Sequence, residues 1–361
     1  MPRWVGLFTP LVFLTGMPFV PLWGVWADKY SRKAVIARSA TVEAVVLAAV
    51  ALCVTPWQLA ASLGLIGLSL GNTGVMLAVL RETVPPARLG MVIGTLGAAG
   101  SLGFAAGAPL AALIVDGLGR SLRDVFVVSS ALMFGVTAML VMGMREVRPA
   151  VVPRGATVAL AYAALRGTAL DAMSRGLFIL FGGALLASQM ISAYMPVLVE
   201  RVNGSGPGLV SAIGLVVGGS ALVGAMAAPL AGALADRVGF RPMLVSALLA
   251  GAVALVVMSG APTVAVLIAA ATVFALASGA VRTTVMALLS RDVPAERRST
   301  TLNLAYLPLY IAGIAGPALG AVLVGAGLGR VYEGAAIVLG ACGVWAARWQ
   351  RPSGADHGAR T

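Results

Sequence analysis

Charged residues, histidine and cysteine are all scarce in this sequence. Only 11% of its 361 residues are charged, whereas a soluble domain carries about 25%. Hydrophobic residues make up 60% of the chain, and the mean hydropathy is +0.98. Because a soluble fold cannot hide so large an apolar fraction from water, the composition excludes an ordinary globular domain. It predicts an all-α polytopic membrane protein.

The missing residue types also exclude several kinds of site. The single histidine, His357, lies in the polar tail "RPSGADHGART", so histidine metal sites and histidine proton relays are excluded. Cys53 and Cys342 both fall in apolar runs and form neither a metal motif nor a disulfide framework. Phosphate-loop and nucleophile-elbow motifs are missing too. We therefore expect no enzyme activity, no catalytic residue, no metal and no cofactor.

The basic residues mark membrane topology. The 25 bases and 13 acids give a net charge of +12, but the bases recur at short turns and are not interleaved with aromatics. We therefore expect the lipid bilayer, and no nucleic acid, as a partner. With the turn "DKYSRK" in the cytoplasm, 19 of the 25 bases are cytoplasmic, and the exceptions are Arg3, Arg120, Arg123, Arg201, Arg330 and the intramembrane Arg282. This distribution predicts a multi-pass protein of the cell (inner or plasma) membrane with a cytoplasmic C-terminus.

Apolar runs long enough to cross a bilayer, about 20 residues each, divide the chain. We predict spans at 4–27, 34–54, 57–80, 89–115, 122–143, 176–199, 208–235, 242–260, 263–289, 300–326 and 331–347. The predicted domains are an N-terminal helical bundle (1–143), a cytoplasmic linker (144–175), a C-terminal six-helix bundle (176–347) and a cytoplasmic tail (348–361). The linker carries five arginines and two prolines, and its part from about Val158 to Met173 has the pattern of an amphipathic helix.

Three motifs occur twice at a nearly constant offset. "ADKYSRK" pairs with "ADRVGFR", "ETVPPAR" with "RDVPAER", and "GAPLAA" with "GPALGA", at offsets of 208, 209 and 208 residues. A constant offset for three landmarks indicates a duplication with both halves in the same orientation. The second half has a span before its basic turn that the first half lacks. We expect either a late start of the sequence or a protein with eleven spans.

The duplicated turn resembles the G-x-x-x-D-[RK]-x-G-[RK]-[RK] motif of the major facilitator superfamily. The first copy has Ser31 at the family's usual glycine, and the second has Phe240 at one of the usual bases. The resemblance implies two pseudo-symmetric helical bundles, with the visible spans being family helices 2 to 12. Its cytoplasmic gating motif would comprise Gly24, Asp28, Lys29, Arg32, Lys33 and Glu82 in the first half, and Gly232, Asp236, Arg237, Gly239 and Arg241 in the second.

A cytoplasmic latch is one interpretation of the first turn. Asp28 and Arg32 are four residues apart, and Glu82 lies at the same membrane depth at the end of family helix 4. The resemblance implies a further contact from Asp28 to the start of family helix 11, near Ser299 to Leu302. The alternative is that these charges only set the topology.

A glycine-proline pattern in family helix 5 resembles that of the antiporters and drug exporters. It comprises Gly94, Gly103, Gly107 and Pro109, and Gly316, Pro317 and Gly320 recur in the second half. Small residues four apart let two helix backbones approach closely, and we expect family helix 5 to approach family helix 8 in this way. The alternative is ordinary packing of small residues. The arginine that proton-coupled drug exporters usually carry in family helix 4 is absent, because Thr55 to Leu80 contains no charge.

Two charged residues within spans are candidates for a proton or substrate site. Glu43, midway along family helix 3, is either a proton-titrating carboxylate or a packed, hydrogen-bonded acid, with Arg38 as a possible partner. Arg282, in family helix 10, either binds an anionic group or extends to the cytoplasmic surface.

Polar-aromatic stripes on two helices are further candidates. Asn303, Tyr306 and Tyr310 share one stripe, and Gln189 and Ser192 form another with Phe178 and Phe181. Such surfaces suit amphiphilic organic molecules, or else serve hydrogen bonding between helices.

The sequence thus predicts a secondary transporter, monomeric, that exports small amphiphilic molecules by alternating access in exchange for protons. The alternatives are an uptake permease of the same superfamily and a truncated, non-transporting membrane protein.

Overall fold

The computed structural model describes residues 2–147, 155–159, 172–292 and 307–348, and these residues form helices and no strand. In the first part of the chain the helices are α1 (Pro2–Gly16), α2 (Val20–Lys29), α3 (Arg32–Leu52), α4 (Pro56–Ile66), α5 (Asn72–Thr83), α6 (Pro86–Ala112) and α7 (Leu122–Gly143).

In the second part they are α8 (Ala172–Ser192), α9 (Met195–Asn203), α10 (Leu209–Ile213), α11 (Ser220–Val238), α12 (Phe240–Ser259), α13 (Val264–Asp292), α14 (Leu307–Leu323) and α15 (Leu328–Arg348). A π-helical stretch, Gly214–Gly219, joins α10 to α11.

Capping residues fix where several helices begin. Ser31 accepts a hydrogen bond from the Ala34 amide at the start of α3. Thr55 and Gln58 form a capping box at the start of α4, with Pro56 as the first helical residue. Such caps satisfy amides that have no partner within the helix, which a membrane-spanning chain cannot leave exposed to lipid.

The all-α polytopic fold predicted from the sequence is confirmed. Eight described helices are long and apolar enough to cross a membrane, and a ninth is the pair Gly176–Ser192 and Met195–Asn203, bent by 46°. Two of the eleven predicted spans are not among them. Of these two, the 89–115 span corresponds to α6, a 27-residue helix whose side-chain surroundings are described only in part, and the 331–347 span lies in α15, which includes Arg330, Glu333 and Arg348.

The contacts divide the chain into two compact units. One comprises 8–100 and 110–167; the other comprises 1–7, 101–109 and 168–361. In the first unit Ala27, Val35, Ile36 and Val75 form a small core, and in the second a larger core is built around fully buried side chains such as Tyr194 and Tyr332.

Candidate functional site

The basic turn between α2 and α3 holds an ion network centred on Arg32. Arg32 Nη2 lies 2.8 Å from Asp28 Oδ1, and Arg32 Nη1 lies 2.7 Å from Glu82 Oε2. Arg32 is 4% exposed, whereas Asp28 and Glu82 are 39% and 38% exposed. Arg32 Nε also donates to Asp28 at 2.9 Å, while the contact to Glu82 lacks the geometry of an aligned hydrogen bond and is an ion pair. The structure thus brings together the three residues of the expected latch.

A fourth residue, Glu146, joins this site from beyond the end of α7. Its Oε1 accepts from the amides of Arg32 (2.8 Å) and Lys33 (3.4 Å), and its Oε2 accepts from the Ser31 hydroxyl. A carboxylate on these amides is favourable because the start of a helix carries partial positive charge. Sequence reasoning missed Glu146; the available signal was only that an acid stands three residues after the end of an apolar span.

The second basic turn is held differently. Arg241 Nε donates to the Ala346 carbonyl at 3.3 Å, and its Nη2 contacts the Ala347 carbonyl. An arginine at these carbonyls complements the negative end of α15. Asp236 lies on α11, but its side chain and the region near Ser299 to Leu302, the expected partner of Asp28, are outside the described part of the chain.

The remaining motif residues have local roles. Gly239 has φ +93°, which favours glycine at the tight junction of α11 and α12. Lys29 donates from Nζ to the Gly155 carbonyl at 2.7 Å. A Cβ at Gly24 would meet no atom within 4 Å, and one at Gly232 would lie 3.5 Å from Thr283 Cγ2. Close packing therefore does not require glycine at either of these two positions.

Family helix 4 is interrupted near its middle. After α4 a 3₁₀ turn covers Gly67–Ser69, Leu70 is extended, and Gly71 has φ +94° before α5 begins. Within a membrane the carbonyls freed by such a break need partners inside the protein. The Ser39 hydroxyl donates to the Ser69 carbonyl, and Arg38 Nη2 donates to the Leu70 carbonyl at 3.1 Å.

Glu43 also contacts the break in family helix 4. Its Oε1 accepts from the Ser69 hydroxyl at 3.1 Å, and the side chain is half-buried. Arg38, which the sequence offered as a partner for Glu43, is instead directed to Leu70 and to Trp23, because residues five apart face different sides of a helix. Glu43, Ser69 and Ser39 thus link α3 to the break between α4 and α5.

The glycine motif of α6 packs in a different register from the expected one. A Cβ on Gly103 or Gly107 would meet no atom within 4 Å. Instead, α6 packs against family helix 8 through the neighbouring residues Ala105, Ala108 and Pro109, which lie next to Gly214 and Gly218. A Cβ on Gly218 would lie 3.0 Å from the Ala105 carbonyl oxygen. Gly94 lies on α6, in a part where side-chain surroundings are not described.

The repeated motif on α14 does pack through its glycines. A Cβ on Gly316 would lie 2.7 Å from Gln189 Cβ, and one on Gly320 would lie 2.5 Å from Tyr194 Cε2. Pro317 lies inside the same helix. Helix α14 therefore approaches α8 more closely than any side chain at these positions would allow.

The candidate substrate residues of the second half lie in different surroundings. Gln189 is half-buried beside Gly316, and Tyr310 is half-buried on α14, whereas Arg282 is exposed on α13. Ser192 is exposed and donates to the Gln189 carbonyl at 3.2 Å. Phe178 and Phe181, expected on the stripe, are buried in the core. Asn303 and Tyr306 are outside the described residues.

A duplicated set of apolar helices, with interrupted spans and basic turns, defines a multi-pass membrane protein of the transporter type. The family model of the Major Facilitator Superfamily matches this chain over residues 3–213 and again over 177–360. The chain belongs to this superfamily, as the motifs of its basic turns predicted.

Among curated proteins the chain is similar to multidrug resistance proteins MdtG. It is 28% identical over 257 residues to that of Serratia proteamaculans, covering 70% of this chain and 61% of the relative. It is 27% identical over 257 residues to that of Salmonella typhi, covering 70% of this chain and 62% of the relative. The match therefore spans less than two thirds of the length of these relatives.

Among solved structures, the crystal structure of the human organic anion transporter MFSD10 (TETRAN) is similar in fold. The TM-score is 0.66 at 18% sequence identity, over 96% of this chain and 83% of that one. At this identity the likeness concerns the fold alone.

Proposed function

We propose that this chain exports small amphiphilic organic molecules by alternating access, in exchange for protons. Similarity to multidrug resistance proteins supports the substrate class and the direction. The observation that carries the proton as coupling ion is Glu43, a half-buried carboxylate within a membrane-spanning helix that accepts a hydrogen bond from Ser69.

Protonation of Glu43 would change the balance of charge near the middle of the membrane. Glu43 is eleven residues from the start of α3, which places it roughly 16 Å along the helix axis. A charged side chain at this depth costs at least ~2.5 kcal/mol on insertion scales. When ionised, Glu43 is an acceptor for the Ser69 hydroxyl. When protonated, it loses that charge and gains a donor of its own, so the two states favour different arrangements of the helix break.

The Arg32 network supports a cytoplasmic gate. It joins the end of α2, the start of α3 and the end of α5 through Asp28, Arg32 and Glu82. Contacts of this kind shift the equilibrium between the open and closed states when they are stronger in one state than in the other. The shift equals the difference between their free energies in the two states. We assign it to the state in which the cytoplasmic side is closed.

We also propose the domain organisation that the sequence predicts. The N-terminal bundle (1–143) and the C-terminal bundle (176–347) are the two moving halves, and the linker (144–175) and tail (348–361) are cytoplasmic. The protein works as a monomer in the cell membrane without a cofactor.

Glu43→Gln tests the coupling in purified protein reconstituted into vesicles. The probes are ethidium, dansylaminoundecanoic acid and its methyl ester, each measured by fluorescence with and without an imposed pH gradient. We expect the wild type to move at least one probe faster with the gradient, and Glu43→Gln to lose that acceleration while still binding the probe.

The matched control is Glu200→Gln. Glu200 also accepts from a serine hydroxyl, Ser205, at 2.8 Å, but both residues are exposed at the end of α9. Gradient-driven flux that is unchanged in Glu43→Gln, or equally reduced in Glu200→Gln, would remove Glu43 as the coupling group. No flux of any probe above that of empty vesicles would refute export.

A further inference from the structure

Three buried donors without acceptors lie together beside the break of family helix 4. The guanidinium carbon of Arg38 lies 3.6 Å from the centre of the Trp23 ring. Arg38 Nε, Arg38 Nη1 and Trp23 Nε1 are shielded from solvent and have no hydrogen-bond partner among the described residues. The polar contact that Arg38 does make is through Nη2, to the Leu70 carbonyl at 3.1 Å.

This cluster lacks a negative charge. Arginine remains protonated in proteins and has no acceptor, and the indole nitrogen is a donor only. Within the described residues, the ion pairs of this unit join Asp28 and Glu82 to Arg32, and Glu43 is bonded to Ser69. Stacking on the Trp23 ring offsets part of the cost of burying the Arg38 charge. The buried N–H groups still lack acceptors, which is unfavourable, and intramembrane arginines commonly mark ligand pathways.

We propose that Arg38 and Trp23 form a subsite for the carboxylate of an amphiphilic substrate. The guanidinium supplies the positive charge and the Nε–H donor, and the indole N–H supplies a second donor, so that each carboxylate oxygen can accept one hydrogen bond. Arg38 is six residues from the start of α3, roughly 9 Å into the helix from the cytoplasmic side. The subsite is therefore reached from the compartment from which an exporter loads.

The helix break controls access to these donors. A Cβ on Gly71 would lie 3.4 Å from both Cβ and Cδ1 of Trp23, so the break packs directly on the indole. In the present state the donors are covered. Movement of the Ser69–Gly71 segment uncovers them, and binding of the carboxylate favours that movement.

This inference deepens the proposed function by naming the substrate class, and its test is a binding measurement that needs no proton gradient. Purified protein in uncharged detergent is titrated with dansylaminoundecanoic acid and with its methyl ester, in which a methyl group replaces the negative charge. We expect the wild type to bind the acid about ten-fold or more tightly than the ester, the effect of hydrogen bonds to a charged group.

Arg38→Gln should abolish this preference, and Arg38→Lys should retain part of it because the charge remains. Trp23→Phe keeps the ring and removes the N–H, so the preference should fall by only about two- to ten-fold. The matched control is Arg123→Gln, since Arg123 also donates to a backbone carbonyl, that of Cys53 at 3.4 Å, but is exposed. It should leave the preference unchanged.

Equal binding of acid and ester by the wild type would overturn the subsite, as would a preference that survives in Arg38→Gln. If that variant does not fold, an unchanged preference in both Arg38→Lys and Trp23→Phe is the refuting result. Titration with phosphatidylglycerol tests the other source of an oxyanion. A tryptophan fluorescence response to this lipid that is present in the wild type and lost in Trp23→Phe, with no preference for the acid, would assign the donors to a lipid phosphate and also overturn the proposal.

Discussion

Removing both carboxylates around Arg32 should have a larger effect than the two single changes predict. Asp28→Asn and Glu82→Gln each leave Arg32 one charged partner. Because Asp28 and Glu82 are 39% and 38% exposed, solvent screens each pair, and each single change should destabilise the closed turn by about 0.5–1 kcal/mol. The double variant leaves a guanidinium that is 4% exposed without a carboxylate, and an unpaired buried charge costs about 3 kcal/mol or more.

Hydrogen exchange of the backbone amides at the start of α3, followed by mass spectrometry in reconstituted protein, measures this opening. Each single variant should exchange about two- to five-fold faster, and the double variant about a hundred-fold faster. Glu333→Gln is the control, because it breaks an ion pair with Arg330 at 2.8 Å whose residues are 41% and 63% exposed. An effect of the double variant no larger than the product of the singles, or an equal effect of Glu333→Gln on α3, would refute the network.

Two further changes test other parts of the first unit. Glu146→Ala removes the acceptor of the Arg32 amide and should lower the free energy of unfolding by about 1 kcal/mol, seen as a lower melting temperature. Glu146→Gln, which retains an acceptor oxygen, should lose less, and an unchanged melting temperature in Glu146→Ala would show that Glu146 does not cap α3. Gly71→Ala places a side chain at φ +94° and should cost about 1–2 kcal/mol. By contrast, Gly107→Ala meets open space inside a helix and should be neutral or stabilising by up to about 1 kcal/mol. A larger loss of stability in Gly107→Ala than in Gly71→Ala would contradict the left-handed conformation at Gly71 in the helix break.

The contacts of Arg32 with Asp28 and Glu82 were predictable because the residues are close in sequence or end neighbouring spans. Asp28 and Arg32 are four residues apart across a single turn, and Glu82 ends a span on the same side of the membrane. Their partner Glu146 was not predictable in this way. It lies 114 residues from Arg32, and nothing in the sequence sets the rotation of α7 that brings it to the start of α3.

The glycine motif of α6 shows that the spacing of small residues does not predict which face of a helix packs. Small residues four apart predicted that Gly103 and Gly107 pack against another helix, yet Ala105 and Ala108 do so. The composition of the helix allows a close approach on either face. Which face is used depends on the rotation of the helix, which only the packing of the unit decides.

The sequence by itself determined that this is a membrane protein of the major facilitator superfamily with a repeated basic turn. These properties follow from transfer free energies, loop charge and local motifs, each of which acts within a short stretch of chain. Only the tertiary structure decided that Arg38 lies on Trp23 rather than beside Glu43, and that the break of family helix 4 is held from α3. Contacts between helices depend on their rotation and register, which are fixed by the packing of many side chains together.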